Sequence, residues 1–187
     1  MKLVIQRVTH GSVTIEGKVN GEIDKGYVVL VGFGENDTED VLEPMIDKMI
    51  NLRIFEDENE KMNLDIKTVN GSILSISQFT LYANCRHGRR PGFSEAMHPT
   101  YAIPMYDSFN QRIRDKGIHL ETGIFGADMK VSIMNDGPVT IILDSEKDIS
   151  QKKWKKEKKI LAKDKLMMYY KRAVEKQNKK KSTEKNF

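Results

Sequence analysis

The sequence predicts an α+β fold: a compact, β-rich subunit with two main helices and a basic C-terminal extension. Three observations lead there. β-type runs bounded by glycine and asparagine turns fill most of the first 80 residues and return near residue 129. Apolar residues recur at helical spacing in two stretches, around 42–52 and 102–113. Lysines crowd the chain beyond residue 150: residues 151–187 hold 15 Lys+Arg against 4 Asp+Glu, whereas residues 1–150 hold 16 against 23. An acidic body therefore carries a strongly cationic tail, the charge arrangement suited to a polyanion or an anionic surface.

Taken in order, Lys2 to Val8 and Ser12 to Glu16 read as two strands joined at His10-Gly11, and Val19 to Ile23 and Tyr27 to Phe33 as two more, an antiparallel opening. Gly32-Phe33-Gly34 lacks the spacing of a dinucleotide loop and reads as turn residues. Asp37-Thr38-Glu39-Asp40 supplies capping side chains ahead of Leu42, Met45, Ile46, Met49 and Ile50, a helix ending near Leu52 whose regular part starts close to Pro44. Arg53 to Phe55 and Met62 to Val69 flank a polar turn.

Asn70-Gly71 is a hairpin-turn dipeptide, and the β-type run Ser72 to Tyr82 follows it. Within that run the apolar side chains change face at Ser77-Gln78, from 74 and 76 to 79 and 81, so the strand is either bulged there or leaves its sheet. Such a break frees backbone N–H groups and turns hydroxyl and amide side chains towards a cavity. The plainer alternative is a central strand whose hydroxyls bond its neighbours.

The loop from Ala83 to Phe93 carries Arg86, Arg89 and Arg90, either a site for phosphate or carboxylate or a solvated charge cluster. Cys85 and His87 are too close in sequence to make a good thiol-hydrolase pair. Ala102, Met105, Tyr106, Phe109 and Ile113 mark the second helix, with Pro104 in its first turn and Gly117 at its end. Met129 to Met134 and Val139 to Leu143 are β-type runs about Asn135-Asp136-Gly137-Pro138, whose Gly-Pro bond is open to the cis form.

Several classes drop out. The sequence contains no apolar stretch of the ~18 residues that a membrane span needs, and the first residues run straight into a strand pattern, so a soluble, cytoplasmic protein is expected. One cysteine excludes an internal disulfide, and the four histidines have no metal spacing; neither metal nor cofactor is expected.

Ser77-Gln78-Phe79-Thr80-Leu81 and Asn135-Asp136-Gly137-Pro138-Val139-Thr140 together resemble the Ser-Gln-x-x-Leu and Asn-x-Gly-Pro-x-Thr motifs of D-aminoacyl-tRNA deacylases. The likeness spans about residues 1–145 and includes Gln6-Arg7-Val8, Arg53-Ile54-Phe55, Lys61-Met62-Asn63-Leu64, Arg90-Pro91-x-Phe93 and Ala127-Asp128-Met129. It implies a deacylase domain over 1–148 and a Lys-rich extension over 149–187, disordered or helical. It further implies a barrel-like mixed sheet and a homodimer in which cis Gly137-Pro138 enters the partner's site, built around Ser77, Gln78, Phe79 and Thr80. The implied substrate is D-aminoacyl-tRNA, or glycyl-tRNA mischarged on tRNA(Ala), cleaved in chiral proofreading.

With no Ser-His-Asp group and no paired acids in the motif, backbone N–H groups near Phe79 and Thr80 are expected to stabilise the oxyanion while water attacks, assisted by a ribose hydroxyl. Thr80 as a nucleophile lacks a neighbouring base. Gly137-Pro138 would hold the α-ammonium and leave no room for an L side chain. Gly92 stands where bacterial members often have serine. Arg89, Arg90, Lys152, Lys153, Lys155 and Lys156 are candidate tRNA-phosphate contacts, with Trp154 and further apolar residues interleaved in the tail; a solubilising or localisation tail is the alternative. Two other functions compete: a paralogous deacylase for L-aminoacyl-tRNA, and a non-catalytic RNA-binding protein.

Overall fold

The computed structural model describes residues 1–149. Lys152, Lys153, Lys155 and Lys156 lie outside them, and so does the tail for which disorder or helix is expected from sequence.

The framework is one long hairpin. β1 (Lys2–Ile15) turns at Glu16-Gly17, both at positive φ, and returns as β2 (Lys18–Ile23) and β3 (Gly26–Gly32). The two halves pair antiparallel with β1, from Ile15↔Lys18 through Val8↔Gly26 to Lys2↔Gly32. The predicted break at His10-Gly11 is absent: β1 is continuous, because β8 (Met129–Asp144) pairs along its whole other edge. Gly11 serves close packing there, since a Cβ would stand 2.6 Å from Val28 Cγ2.

Beside β3 run β6 (Ser72–Ser77) and β7 (Leu120–Thr122), both parallel. The hairpin predicted at Asn70-Gly71 is therefore a parallel crossover; Asn70 does take φ 51°, but its turn leads into a strand beside β3 rather than back along the preceding one. The minor pair β4 (Phe55–Glu56) and β5 (Met62–Leu64) is shorter than the two runs expected around it. β7 comes back to β2, where Asn20 Nδ2 donates to Thr122 O at 2.7 Å and a Cβ on Gly21 would lie 3.2 Å from Glu121 Cβ, so the mixed sheet nearly closes into a barrel.

Alternation along β3 divides the core. Tyr27, Val29 and Val31 join Leu3, Ile5 and the helices on one face, while Val28 joins Val8, Val13, Ile23, Leu74 and Ile76 on the other. Helix α1 (Leu42–Ile50) buries Leu42, Met45, Ile46, Met49 and Ile50, the stripe expected from spacing. The side chain of Thr38, which precedes the 3-10 turn Glu39–Val41, makes no capping bond, and Asp37 is engaged elsewhere. Helix α2 (Pro99–Asp115) begins earlier than predicted, with His98 Nδ1 accepting from Thr100 N at 3.4 Å; Pro104 thus sits inside the helix rather than in its first turn. Gly117, at φ 77°, follows its end. A short helix α3 (Ser145–Asp148) closes the described chain. Among the described residues no helix is long and apolar enough to cross a membrane.

Candidate active site

Of the two readings of the Ser77-Gln78 break, the structure selects departure from the sheet. β6 ends at Ser77, Gln78 N donates to Val31 O at 2.7 Å as the last sheet-like bond, and Phe79–Tyr82 winds into a 3-10 turn. The first N–H groups of such a turn have no partner within it. Among the described residues those of Phe79 and Thr80 meet no acceptor.

What brings the turn so close to β3 is the pair of glycines read from sequence as mere turn residues. A Cβ on Gly32 would stand 2.9 Å from Gln78 O and 3.1 Å from Leu81 Cβ, and one on Gly34 would stand 2.6 Å from Tyr82 Cε1. Neither glycine has positive φ; both are needed for approach, not for conformation. Gln78 Nε2 donates to Thr80 Oγ1 at 2.6 Å, and the half-exposed Phe79 ring meets Phe93 edge-on at 5.0 Å.

Ser77, Gln78 and Phe79 form one wall of a cleft of about 290 Å³; Phe125, Gly126, Ala127, Asp128 and Met129 form the other. Thr80 does not line it. Arg89 and Arg90 do not line it either; both are exposed on a loop whose base is pinned by pairing of Asn84 with Gly92. Cys85 is exposed beside them.

The second motif lies farther along β8. Its two β-type runs are one strand, interrupted opposite Arg7: Gln6 pairs with Thr140 and Val8 with Asn135, so Asp136 to Val139 bulge out. The Gly137-Pro138 bond is cis and both residues are exposed. Asn135 Oδ1 accepts from Val139 N at 3.0 Å, and Asn135 Nδ2 donates to Thr140 Oγ1 at 3.3 Å; the outer residues of the motif thus cinch the base of the bulge.

Arg7 holds it from beneath. This side chain, only 4% exposed, donates from Nη1 to Ile54 O at 2.7 Å and from Nε to Asp136 O at 3.2 Å, and lies 3.0 Å from Asp136 Oδ2. Gly137, at φ 119°, would place a Cβ 3.1 Å from Arg7 Nη2 and 2.8 Å from Val139 Cγ2. In the sequence Arg7 stands out only through the resemblance. The physical signal was present: Leu3, Ile5 and Arg7 occupy the inward phase of β1, where an arginine needs several acceptors.

Within one chain, then, the two motifs do not meet. None of Asp136 to Val139 lines the cleft beside Ser77 to Phe79.

Comparison with known proteins identifies the family. The family described as D-Tyr-tRNA(Tyr) deacylase matches residues 4–144. A D-aminoacyl-tRNA deacylase of Limosilactobacillus reuteri (strain DSM 20016) is 54% identical over 144 residues, 77% of this chain and 99% of the relative. One of Thermus aquaticus is 52% identical over 145 residues, 78% and 95% of the two chains. Among solved structures, the c-Myc DNA Unwinding Element Binding Protein superposes with a TM-score of 0.73 at 42% identity, covering 77% of this chain and 98% of that one. A probable eukaryotic D-amino acid tRNA deacylase, 16% identical with a TM-score of 0.68 over 76% and 98% of the chains, shares the fold. With the family spanning most of the described residues, one motif where β6 leaves the sheet and the other at the bulge in β8, the chain belongs to the D-Tyr-tRNA(Tyr) deacylase family.

Proposed function

We propose that the chain hydrolyses the ester joining a D-amino acid to the terminal adenosine of tRNA, acting as a homodimer in which Gly137-Pro138 of one subunit completes the cleft of its twin. The observation carrying this reading is the separation of the motifs: an exposed bulge backed by Arg7 and an open cleft lie on the same chain, and none of the bulge lines the cleft. Exposed Ile133, Met134 and Ile142 flank the bulge along β8 and offer an apolar surface to a second copy.

In this reading the Phe79 and Thr80 N–H groups receive the developing oxyanion, one such donor being worth roughly 2.7–4 kcal/mol. Water attacks, with a ribose hydroxyl of the substrate assisting. Thr80 is a poor nucleophile here because its hydroxyl adjoins an amide, Gln78, and not a base. Thr80→Ala is expected to keep activity within about tenfold of the parent, and abolition with intact binding would contradict it.

The partner's Gly137-Pro138 takes the α-ammonium and excludes an L side chain; glycine passes for want of one, which brings glycyl-tRNA mischarged on tRNA(Ala) within reach. Proofreading of handedness in translation follows, and the substrate sets the workplace as the cytoplasm. Release of amino acid from matched D-, L- and glycyl-tRNA tests the assignment: hydrolysis of the D and glycyl esters with the L ester spared supports it. L-ester hydrolysis favours a deacylase of the opposite handedness, and no hydrolysis favours an RNA-binding protein.

Residues 1–148 form the deacylase domain in this account, and the extension over 149–187 adds phosphate contacts through Lys152, Lys153, Lys155 and Lys156, alongside Arg89 and Arg90 of the body. A second reading has the tail bind nucleic acid generally; the charge division favours it. Removing residues 151–187 should flatten the salt dependence of tRNA binding. If duplex DNA competes equally with tRNA for the full chain, the tail is a general polyanion contact.

A further inference from the structure

The turn that carries Phe79 and Thr80 is gripped at both ends. On its N-terminal side Gln78 N bonds Val31 O and Gln78 O lies against Gly32. On its C-terminal side three residues, Lys2, Gly34 and Asp37, converge. Lys2 Nζ donates to Leu81 O at 3.4 Å and sits 4.5 Å from the centre of the Tyr82 ring. That ring lies flush on Gly34. The Tyr82 hydroxyl donates to Asp37 Oδ2 at 3.2 Å.

Asp37 is itself immobilised. The same oxygen accepts from Gly34 N at 2.6 Å and stands 2.5 Å from the α-ammonium of Met1, and the side chain is 7% exposed. A carboxylate taken this far from water is retained only where charged and polar donors surround it. Here the donors come from the start of β1, the end of β3 and the end of the turn. Burial and the neighbouring carboxylate push the Tyr82 phenol well above its ordinary range, so it remains a donor throughout the working pH range.

We propose that Asp37, acting through Tyr82, is a positioning residue for the reaction: it fixes the end of the turn and so the direction in which the Phe79 and Thr80 N–H groups point. Asp37 and Tyr82 touch neither the cleft nor the Gly137-Pro138 bulge. Their effect is on alignment, and alignment of oxyanion donors acts on the rate of the chemical step rather than on substrate affinity. This inference rests on the deacylase reading of the turn.

Kinetics on the full chain with D-aminoacyl-tRNA test it, using Tyr82→Phe, Asp37→Asn and the double variant. Tyr82→Phe keeps the ring on Gly34 and removes one bond to a charged acceptor, so kcat should fall about tenfold with KM within about twofold in protein that stays folded at the assay temperature, with only a modest drop in the thermal midpoint. The double variant should be no slower than Asp37→Asn alone, because both changes cut one path. Should Asp37→Asn fail to fold, Tyr82→Phe decides by its kcat-against-KM split. An unchanged kcat in Tyr82→Phe, a rise in KM with kcat intact, or losses that multiply in the double variant would overturn the proposal. Absence of hydrolysis by the parent protein would instead overturn the deacylase reading, so the two failures are distinguishable.

Discussion

The two motif segments are immobilised by opposite means. The turn after β6 is seated where side chains are missing: Gly32 and Gly34 let backbone press on backbone and a tyrosine ring press on a bare Cα. The bulge in β8 is seated where side chains are supplied, by Arg7 from below and by Asn135 and Thr140 at its base. The difference follows from what each segment must present. A turn that offers free N–H groups cannot have them consumed by polar anchors, so close packing seats its start, and its polar anchors, Lys2 and Asp37, act only at its far end. A bulge that projects from the surface has no neighbours above it, so a buried fork of donors must hold it from within.

Breaking the polar anchor should have the largest effect. Arg7→Ala leaves Ile54 O unpaired in a buried site and opens a void, and the loss of stability should be about 3 kcal/mol by urea denaturation. Arg7→Lys keeps the charge without the fork and should fall between. A denaturation midpoint for Arg7→Ala equal to the parent's would mean that the bulge is held by something else.

The packing anchor comes next. Gly32→Ala drives a methyl against Gln78 O, which no rotamer relieves, and should cost about 2 kcal/mol while reducing kcat by more than the fraction unfolded explains. Full activity in that variant would show that the turn tolerates displacement. Gly137→Ala should be milder in stability, about 1 kcal/mol, since the bulge is exposed and the cost comes from φ 119° and the contact with Val139 Cγ2. Its effect belongs in the ratio of D- to L-ester hydrolysis, which should drop.

The smallest effect separates neither anchor from the other but tests the burial on which both depend. Burial raises the phenols of Tyr27, Tyr82 and Tyr106 above the ordinary value of 10. Because the folded state favours their protonated form, the associated stability is complete below pH 10 and is lost as the pH rises past it towards the folded-state values. Stability curves measured from pH 8 to 11 should therefore be flat in this respect below pH 10 and decline above it; a decline complete well below pH 10 would contradict the burial of these rings.

Local pattern disclosed the turn after β6 and marked Asn135 to Pro138 as a break, but it did not show that this break is a bulge within one strand, nor what holds either segment. The shift of apolar phase at Ser77-Gln78 marked the strand's departure because alternation is a local property. Both helices followed from spacing. Parallel pairing of β3 with β6 was illegible from Asn70-Gly71, since a turn dipeptide reports local backbone geometry and not the distant strand that captures the next segment. Gly32 and Gly34 looked like turn residues because a glycine needed for close approach and one needed for conformation are identical in sequence. Asp37 looked like a helix cap, and its actual partners, Tyr82 and Gly34, are set by tertiary contact. Arg7 was the missed signal that could have been read: an arginine in the buried phase of a strand.

The central claim, that the turn of one subunit works with the bulge of its twin, is tested most directly by mixing two inactive variants. One carries Phe79→Pro, which removes a turn N–H, and the other Arg7→Ala with Gly137→Ala, which disables the bulge. After subunit exchange, half of the dimers are mixed and each mixed dimer regains one complete site, so activity should return to about a quarter of the parent's. Mixtures that stay as inactive as their components would contradict the shared site.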